Sequence, residues 1–207
     1  MIQKAYDCVI RIMILGDSSV GKTSLISKYI NGSFNLNELT TVGIEYRNKK
    51  SRRRHVNLKL QLWDTAGDER YHTLTNFSLK DADAVVLAYD ISNMQSFKSI
   101  QDRWIDMTNQ ACKKKVIMVL AGNKRDLDRT REVAIEEGSQ LALDNGFMFF
   151  ETSAKENLNI DKMFDFLVDT FMTSEGIKQN SESISIQLEG SNKAAQSCGC
   201  GLTSFWK

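Results

Sequence analysis

The chain has 207 residues, a net charge of +1 and no proline; 42% of its residues are hydrophobic and 26% are charged. That is enough chain for one domain with a full core and a tail, and so balanced a charge excludes a globally basic nucleic-acid binder. The four cysteines, Cys8, Cys112, Cys198 and Cys200, do not form a disulfide framework and suit a reducing compartment.

The first strand is expected over Tyr6 to Leu15. Arg11 interrupts its apolar run and no small-residue cleavage site follows, so it is not read as a signal peptide. A loop from Gly16 leads into a helix with Leu25, Ile26, Tyr29 and Ile30 on one face. Two strands follow, about Val42 to Arg53 and His55 to Trp63, as an antiparallel hairpin. In the second, Val56, Leu58, Leu60 and Leu62 point one way and Asn57, Lys59 and Gln61 the other. The tip near Arg54 lacks a strong turn signal.

Ala84 to Tyr89 reads as a buried strand, followed by a helix with Phe97, Ile100, Trp104 and Ala111 on one face. Val116 to Ala121 is a further strand. A helix from Val133 to Asn145 stops at Gly146, and Phe147 to Glu151 is the last strand. Ile160, Met163, Phe164, Leu167, Val168, Phe171 and Met172 form the stripe of a final helix, with Asn157 or Asn159 as its cap. Alternation of strands and helices predicts an α/β fold with a mostly parallel sheet. The domain is expected over 1–174. Residues 175–207, rich in Ser, Gln, Asn, Glu and Gly, are expected as a disordered tail carrying a cysteine pair.

Gly16-Asp17-Ser18-Ser19-Val20-Gly21-Lys22-Thr23, followed by Ser24, matches G-x-x-x-x-G-K-[ST] between a strand and a helix. Its glycines let the backbone curl around phosphate oxygens, and the loop and helix N–H groups meet their charge. Lys22 is the candidate for the β- and γ-phosphates and Thr23 for Mg²⁺. Asp64-Thr65-Ala66-Gly67 ends the second hairpin strand. An acid at a strand's carboxyl end faces the ligand crevice of an open α/β sheet and can hold Mg²⁺ through water; the alternative is an exposed turn aspartate.

Asn123-Lys124-Arg125-Asp126 decides the base. Guanine presents N1–H and an amino group side by side, and the Asp126 carboxylate can accept both. Adenine would leave that charge unpaired. The Lys124 stem can pack over the ring. Glu151-Thr152-Ser153-Ala154-Lys155 ends the last strand, and its backbone N–H groups are candidates for the guanine O6. Phe34 is a candidate to lean on the base, the alternative being a loop aromatic that plugs the core.

These motifs, with Thr41-Val42-Gly43-Ile44-Glu45-Tyr46, Lys59-Leu60-Gln61-Leu62-Trp63, Glu69-Arg70-Tyr71-His72-Thr73-Leu74 and Tyr89-Asp90-Ile91-Ser92-Asn93, make the chain resemble the Ras-like small GTPases and, within them, the Rab family. The resemblance covers Tyr6 to Thr173. It implies a P-loop NTPase fold: a six-stranded sheet with one antiparallel edge strand and helices on both faces. It implies GTP or GDP with Mg²⁺, a cytoplasmic protein that cycles onto cytosolic faces of endomembranes if it is lipidated, and effectors, exchange factors and activating proteins met through two switches. Thr41 would touch Mg²⁺ and the γ-phosphate in the GTP state only, Gly67 would meet the γ-phosphate through its N–H, and Phe34 would lie against guanine. Hydrolysis would then release both switches.

Three departures stand out. Asp68 occupies the position of the Gln that orients the attacking water, which predicts slowed hydrolysis. Ser78 and Leu79 replace a Tyr-Tyr pair, so an effector-facing triad would consist of Tyr46, Trp63 and Ser78. Cys198 and Cys200 resemble a prenylation pair, but seven residues, Gly201 to Lys207, follow them. Two functions remain in view: a slow GTPase switch in membrane traffic, and a GTP-holding recruiting module with little turnover. The basic run Lys49, Lys50, Arg52, Arg53, Arg54 reads first as a charged edge that resists sheet-to-sheet pairing. His55 and His72 have no metal-ligand spacing, and Cys8, Cys112 and Trp104 read as structural.

Overall fold

In the computed structural model, residues 6–36, 38, 40–53, 55–112 and 114–174 are described. The tail with Cys198 and Cys200, and the hairpin residue Arg54, lie outside them. Every strand and helix below begins within the compact unit Met1–Phe171.

Six strands form one sheet: β1 (Cys8–Leu15), β2 (Ile44–Arg53), β3 (Val56–Thr65), β4 (Ala84–Asp90), β5 (Ile117–Asn123) and β6 (Met148–Glu151), in the order β2-β3-β1-β4-β5-β6. Only β2 and β3 run antiparallel, so the expected edge strand and mostly parallel sheet are present. Ile10, Ile12 and Ile14 of β1 alternate with Met13 and Leu15, and all are buried. Such a strand is apolar on both faces because both are covered. Helix α1 (Lys22–Asn31) packs on β3 on one side. On the other, Met13, Leu15, Val85 and Leu87 join Ile100, Trp104 and Ile105 in one cluster.

The strand ends move by one or two residues from the expected positions. The greater difference lies after β4. The expected single helix is three pieces: α3 (Met94–Ser99), a π-turn (Ile100–Trp104) and α4 (Ile105–Ala111). The Ile105 N–H donates to the Ile100 carbonyl, a five-residue step that widens the helix. Helix α2 (His72–Leu79) packs on α4. Helix α5 (Ile135–Asn145) ends at Gly146 with φ 71°, the left-handed stop read from the sequence.

The last helix, α6, begins at residue 160, with Ile160, Met163, Phe164, Leu167 and Val168 buried. Asn159 does not cap it through its side chain as expected. It has φ 55°, and its Nδ2 donates to the Glu151 carbonyl (2.8 Å), which ties the helix start to the end of β6. The basic run divides by strand alternation. Lys49 bonds the Tyr29 carbonyl and Arg53 pairs with Asp165, while Lys50 and Arg52 are exposed.

The Tyr29 ring stacks on Phe164 with centroids 4.1 Å apart, and Lys49 Nζ lies 3.5 Å over its other face. This joins α1, which opens the phosphate loop, to α6. Phe164→Ala should destabilise the fold by about 3–5 kcal/mol, measured by urea unfolding. A loss below about 1 kcal/mol would show that this stack is not a core contact.

Candidate functional site

The sheet turns its carboxyl ends toward one crevice at β1, where the chain winds off in both directions. The loop after β1 enters it first. At Gly16, φ is 145° and a Cβ would lie 2.1 Å from the Ala88 carbonyl oxygen; no other residue fits. Gly21 (φ 95°) leads into α1, and a Cβ there would lie 2.5 Å from Asn123 Nδ2. The loop therefore lies tight against β4 and β5, with its first helical N–H groups facing the crevice.

A cavity of about 410 Å³ occupies this crevice. Ser18, Ser19, Gly21, Lys22, Thr23 and Ser24 line one end. Asn123, Lys124, Asp126, Ala154 and Lys155 line the other, and Phe34, Thr41 and Gly67 close the sides. Most of the site residues expected from the sequence thus meet around one space. Gly16, Asp17, Val20, Asp64 and Ser153 stand behind the lining. Asp68 does not line it either: its carboxylate is gripped by Arg70, with Nη2 at 2.7 Å and Nε at 3.0 Å.

Lys22 is buried, and its ammonium donates to the Gly16 and Asp17 carbonyls (2.8 and 2.7 Å). Burial lowers its pKa to about 8, against the raising effect of Asp64 and Asp17. This cation is held by carbonyl dipoles and still lacks a full counter-charge.

Behind it, Thr23 Oγ1 donates to Asp64 Oδ2 (2.7 Å) and Thr41 Oγ1 donates to the same atom (3.1 Å). The two hydroxyls are 2.9 Å apart. Asp64 is 1% exposed, and its Oδ1 has no hydrogen-bond partner among the described residues. Burial raises its pKa, opposed by the Thr23 hydrogen bond and the Lys22 charge. A buried carboxylate with one orphaned oxygen beside two hydroxyls is an oxygen-only donor set. It suits a hard divalent cation that keeps part of its water.

At the far end, Ser153 Oγ donates to Asp126 Oδ1 (2.6 Å), and Lys155 Nζ is 3.8 Å from Oδ2. The carboxylate is aimed by one and neutralised by the other. Lys124 takes φ 64° and its Nζ pairs with Asp90 (2.8 Å), which stretches its stem along the cavity wall. Asn123 acts as a strut: its Nδ2 donates to the Val20 carbonyl (2.8 Å) and its Oδ1 accepts from Thr152 (3.2 Å). It locks the phosphate loop to the segments that follow β5 and β6.

Some residues of the site carried no sequence signal. Glu38 accepts from Ser24 (3.0 Å) and Ser27 (2.7 Å), which fastens the loop before β2 to α1. Asn35, Thr40 and Leu127 line the cavity. Asp17 accepts from Arg103 and Trp104. An acid and a loop of polar residues gave no cue to these pairings across distant segments.

The lowered Lys22 pKa sets a pH dependence. An anion beside Lys22 restores its affinity for a proton, so the bound state holds more protons than the empty one above pH 8. Binding of a nucleotide phosphate should take up more protons at pH 8.5 than at pH 7, and affinity should fall as pH rises through about 8. Calorimetry in buffers of different ionisation enthalpy measures this directly. Equal uptake at both values would contradict it.

Comparison with known proteins supplies the class. A model of the Ras family matches residues 11–173. A Ras-related protein Rab-10 from Diplobatis ommata is 35% identical over 199 residues, which is 96% of this chain and 99% of the relative. A GTP-binding protein Rab-3D from Rattus norvegicus and a Ras-related protein Rab-3 from Caenorhabditis elegans are each 43% identical over 164 residues, covering 79% of this chain and 74% of theirs. The chain belongs to the Ras family and is, within it, a Rab-type small GTPase.

Proposed function

We propose that the crevice holds guanine nucleotide with Mg²⁺ in one orientation, phosphates on the Gly16–Thr23 loop and base against Asp126, and that Thr41 and Gly67 sense the γ-phosphate. The observation that carries this is the meeting of Thr23, Thr41 and the orphaned Asp64 oxygen beside buried Lys22. Ras-family proteins bind guanine nucleotide and Mg²⁺, and the donor set fits that cation. Bound there, Mg²⁺ neutralises charge on the β- and γ-oxygens.

The residues around it do the rest. Lys22 offers a compact charge to the same oxygens, and the loop N–H groups of Ser18 to Thr23 wrap them. Asp126 accepts the two guanine donors, Lys124 and Phe34 flank the ring, and the N–H groups of Ser153, Ala154 and Lys155 meet O6. Thr41 and Gly67 sit in the loops that leave the same end of the β2–β3 pair, where Ile44 pairs with Thr65. Water attacks GTP in line, giving GDP and phosphate, and both loops are released once the γ-phosphate no longer holds them. Family membership favours this hydrolysing switch over a recruiting module without turnover.

The released surface is apolar. Val42, Tyr46, Leu74 and Phe77 are 73%, 57%, 54% and 71% exposed. Large exposed apolar residues flanking two switches suit docking by effectors, exchange factors and activating proteins. Ser78 in place of an aromatic residue shifts the weight of such docking toward Tyr46 and Phe77. As a Rab-type protein it would regulate membrane traffic from the cytoplasm. No helix among the described residues is long and apolar enough to cross a membrane, so attachment would rest on lipid at Cys198 and Cys200 in the 175–207 tail.

Asp126→Asn replaces an acceptor oxygen with a donor amide. It should weaken GTP binding by at least about 100-fold and improve relative binding of xanthosine triphosphate, which offers a carbonyl where guanine has its amino group. Competition binding reads both; unchanged GTP affinity would remove Asp126 from the base site. Asp68→Gln should raise single-turnover hydrolysis by about tenfold or more, since a neutral amide can turn from Arg70 toward the attacking water. An unchanged rate would assign water positioning to another group.

A further inference from the structure

Asp17 is an acid inside a loop built for anions. Its side chain is turned away from the cavity and meets the π-turn. Arg103 Nη2 lies 2.5 Å and Trp104 Nε1 lies 2.8 Å from the same Asp17 Oδ1. The Arg103 guanidinium is 4.8 Å from the Trp104 ring centroid, so the two donors brace each other. Asp17 and Arg103 side chains are 22% and 27% exposed, and Trp104 is fully buried.

Adjacent residues of an α-helix do not face one direction. The π-turn changes this by adding a residue to one turn, so that Arg103 and Trp104 reach one carboxylate. π-turns of this kind occur often at functional sites. The backbone of Asp17 is a junction as well. Its carbonyl accepts from Lys22 Nζ, and a Cβ on Gly67 would lie 2.3 Å from its carbonyl carbon. Side chain, Lys22 and the second switch thus converge on one residue.

We infer that Arg103 is a positioning residue of the phosphate loop, which neutralises Asp17 and holds its carbonyl in place for Lys22. Without Arg103, Asp17 presents a weakly compensated negative charge close to the phosphates. The repulsion grows with phosphate charge, and a partly buried charge stripped of its partner is costly. This inference rests on the placing of phosphates on the Gly16–Thr23 loop.

The test is the release rate of a fluorescent guanosine diphosphate from full-length protein, chased with excess unlabelled nucleotide. R103A should release it about tenfold faster than wild type, and a fluorescent non-hydrolysable triphosphate faster still relative to wild type. R103Q, which keeps the stem over Trp104, should behave as R103A. R103K should stay within about threefold of wild type. The double variant D17N/R103A should release it several-fold more slowly than R103A, because the charge that repels is gone. A purely packing role for Arg103 would leave the double variant as fast as R103A, and that result overturns the inference, as does release from R103A and R103Q at the wild-type rate. Wild-type protein that retains no guanine nucleotide would overturn the site reading itself, and the inference with it.

Discussion

A buried carboxylate with one unsatisfied oxygen governs this molecule. Asp64 is drawn out of water at the end of β3, shared by two threonine hydroxyls on Oδ2 and left open on Oδ1. Taken alone, such a group is a cost of folding. Beside it, Lys22 is a buried cation whose pKa has dropped to about 8. In the proposed site a divalent cation would answer the first and a phosphate anion the second, so a nucleotide bound with its metal would relieve both costs.

Strand order makes this arrangement possible. β1 lies between β3 and β4, so the phosphate loop and the Asp64 loop leave the sheet side by side. The two switch segments are also joined through the sheet. Ile44 pairs with Thr65, and beyond them the Ala66 N–H donates to the Gly43 carbonyl (2.9 Å). The loop holding Thr41 and the loop holding Gly67 thus begin at one hydrogen bond. In the proposed site, release of the nucleotide by one loop would reach the other without a long pathway. On the opposite side, Asn123 ties the phosphate loop to Thr152 at the end of β6, which braces the cavity along its length.

Much of this was legible in the sequence because the chemistry is local. The phosphate loop, the aspartate at the end of β3, the guanine-reading loop and the Gly146 helix stop each carry their signal in a few adjacent residues. The parallel sheet followed from alternation of apolar runs and periodic segments. Long-range pairings left no such trace. Phe97, Ile100 and Trp104 have ordinary helical spacing, so nothing announced a π-turn; it shows in the five-residue step from Ile105 to Ile100 and in how Arg103 and Trp104 reach Asp17. Glu38 in its loop has the look of any solvated acid, and only the fold brings Ser24 and Ser27 to it. Asn159 read as a helix cap by type and position, yet the Glu151 carbonyl claimed its amide. Asp68 was legible as a departure in type but not in place, because its nearest cation, Arg70, sits two residues away and turns it from the cavity.

The most direct test of nucleotide and cation sharing one site is the nucleotide content of the native protein, by mass spectrometry under non-denaturing conditions with and without a chelator. We expect about one guanine nucleotide and one Mg²⁺ per chain, and loss of the nucleotide when the cation is removed, since Asp64 and the phosphates depend on the same ion. Adenine nucleotide in that position, or guanine nucleotide retained unchanged in the chelator, would contradict it.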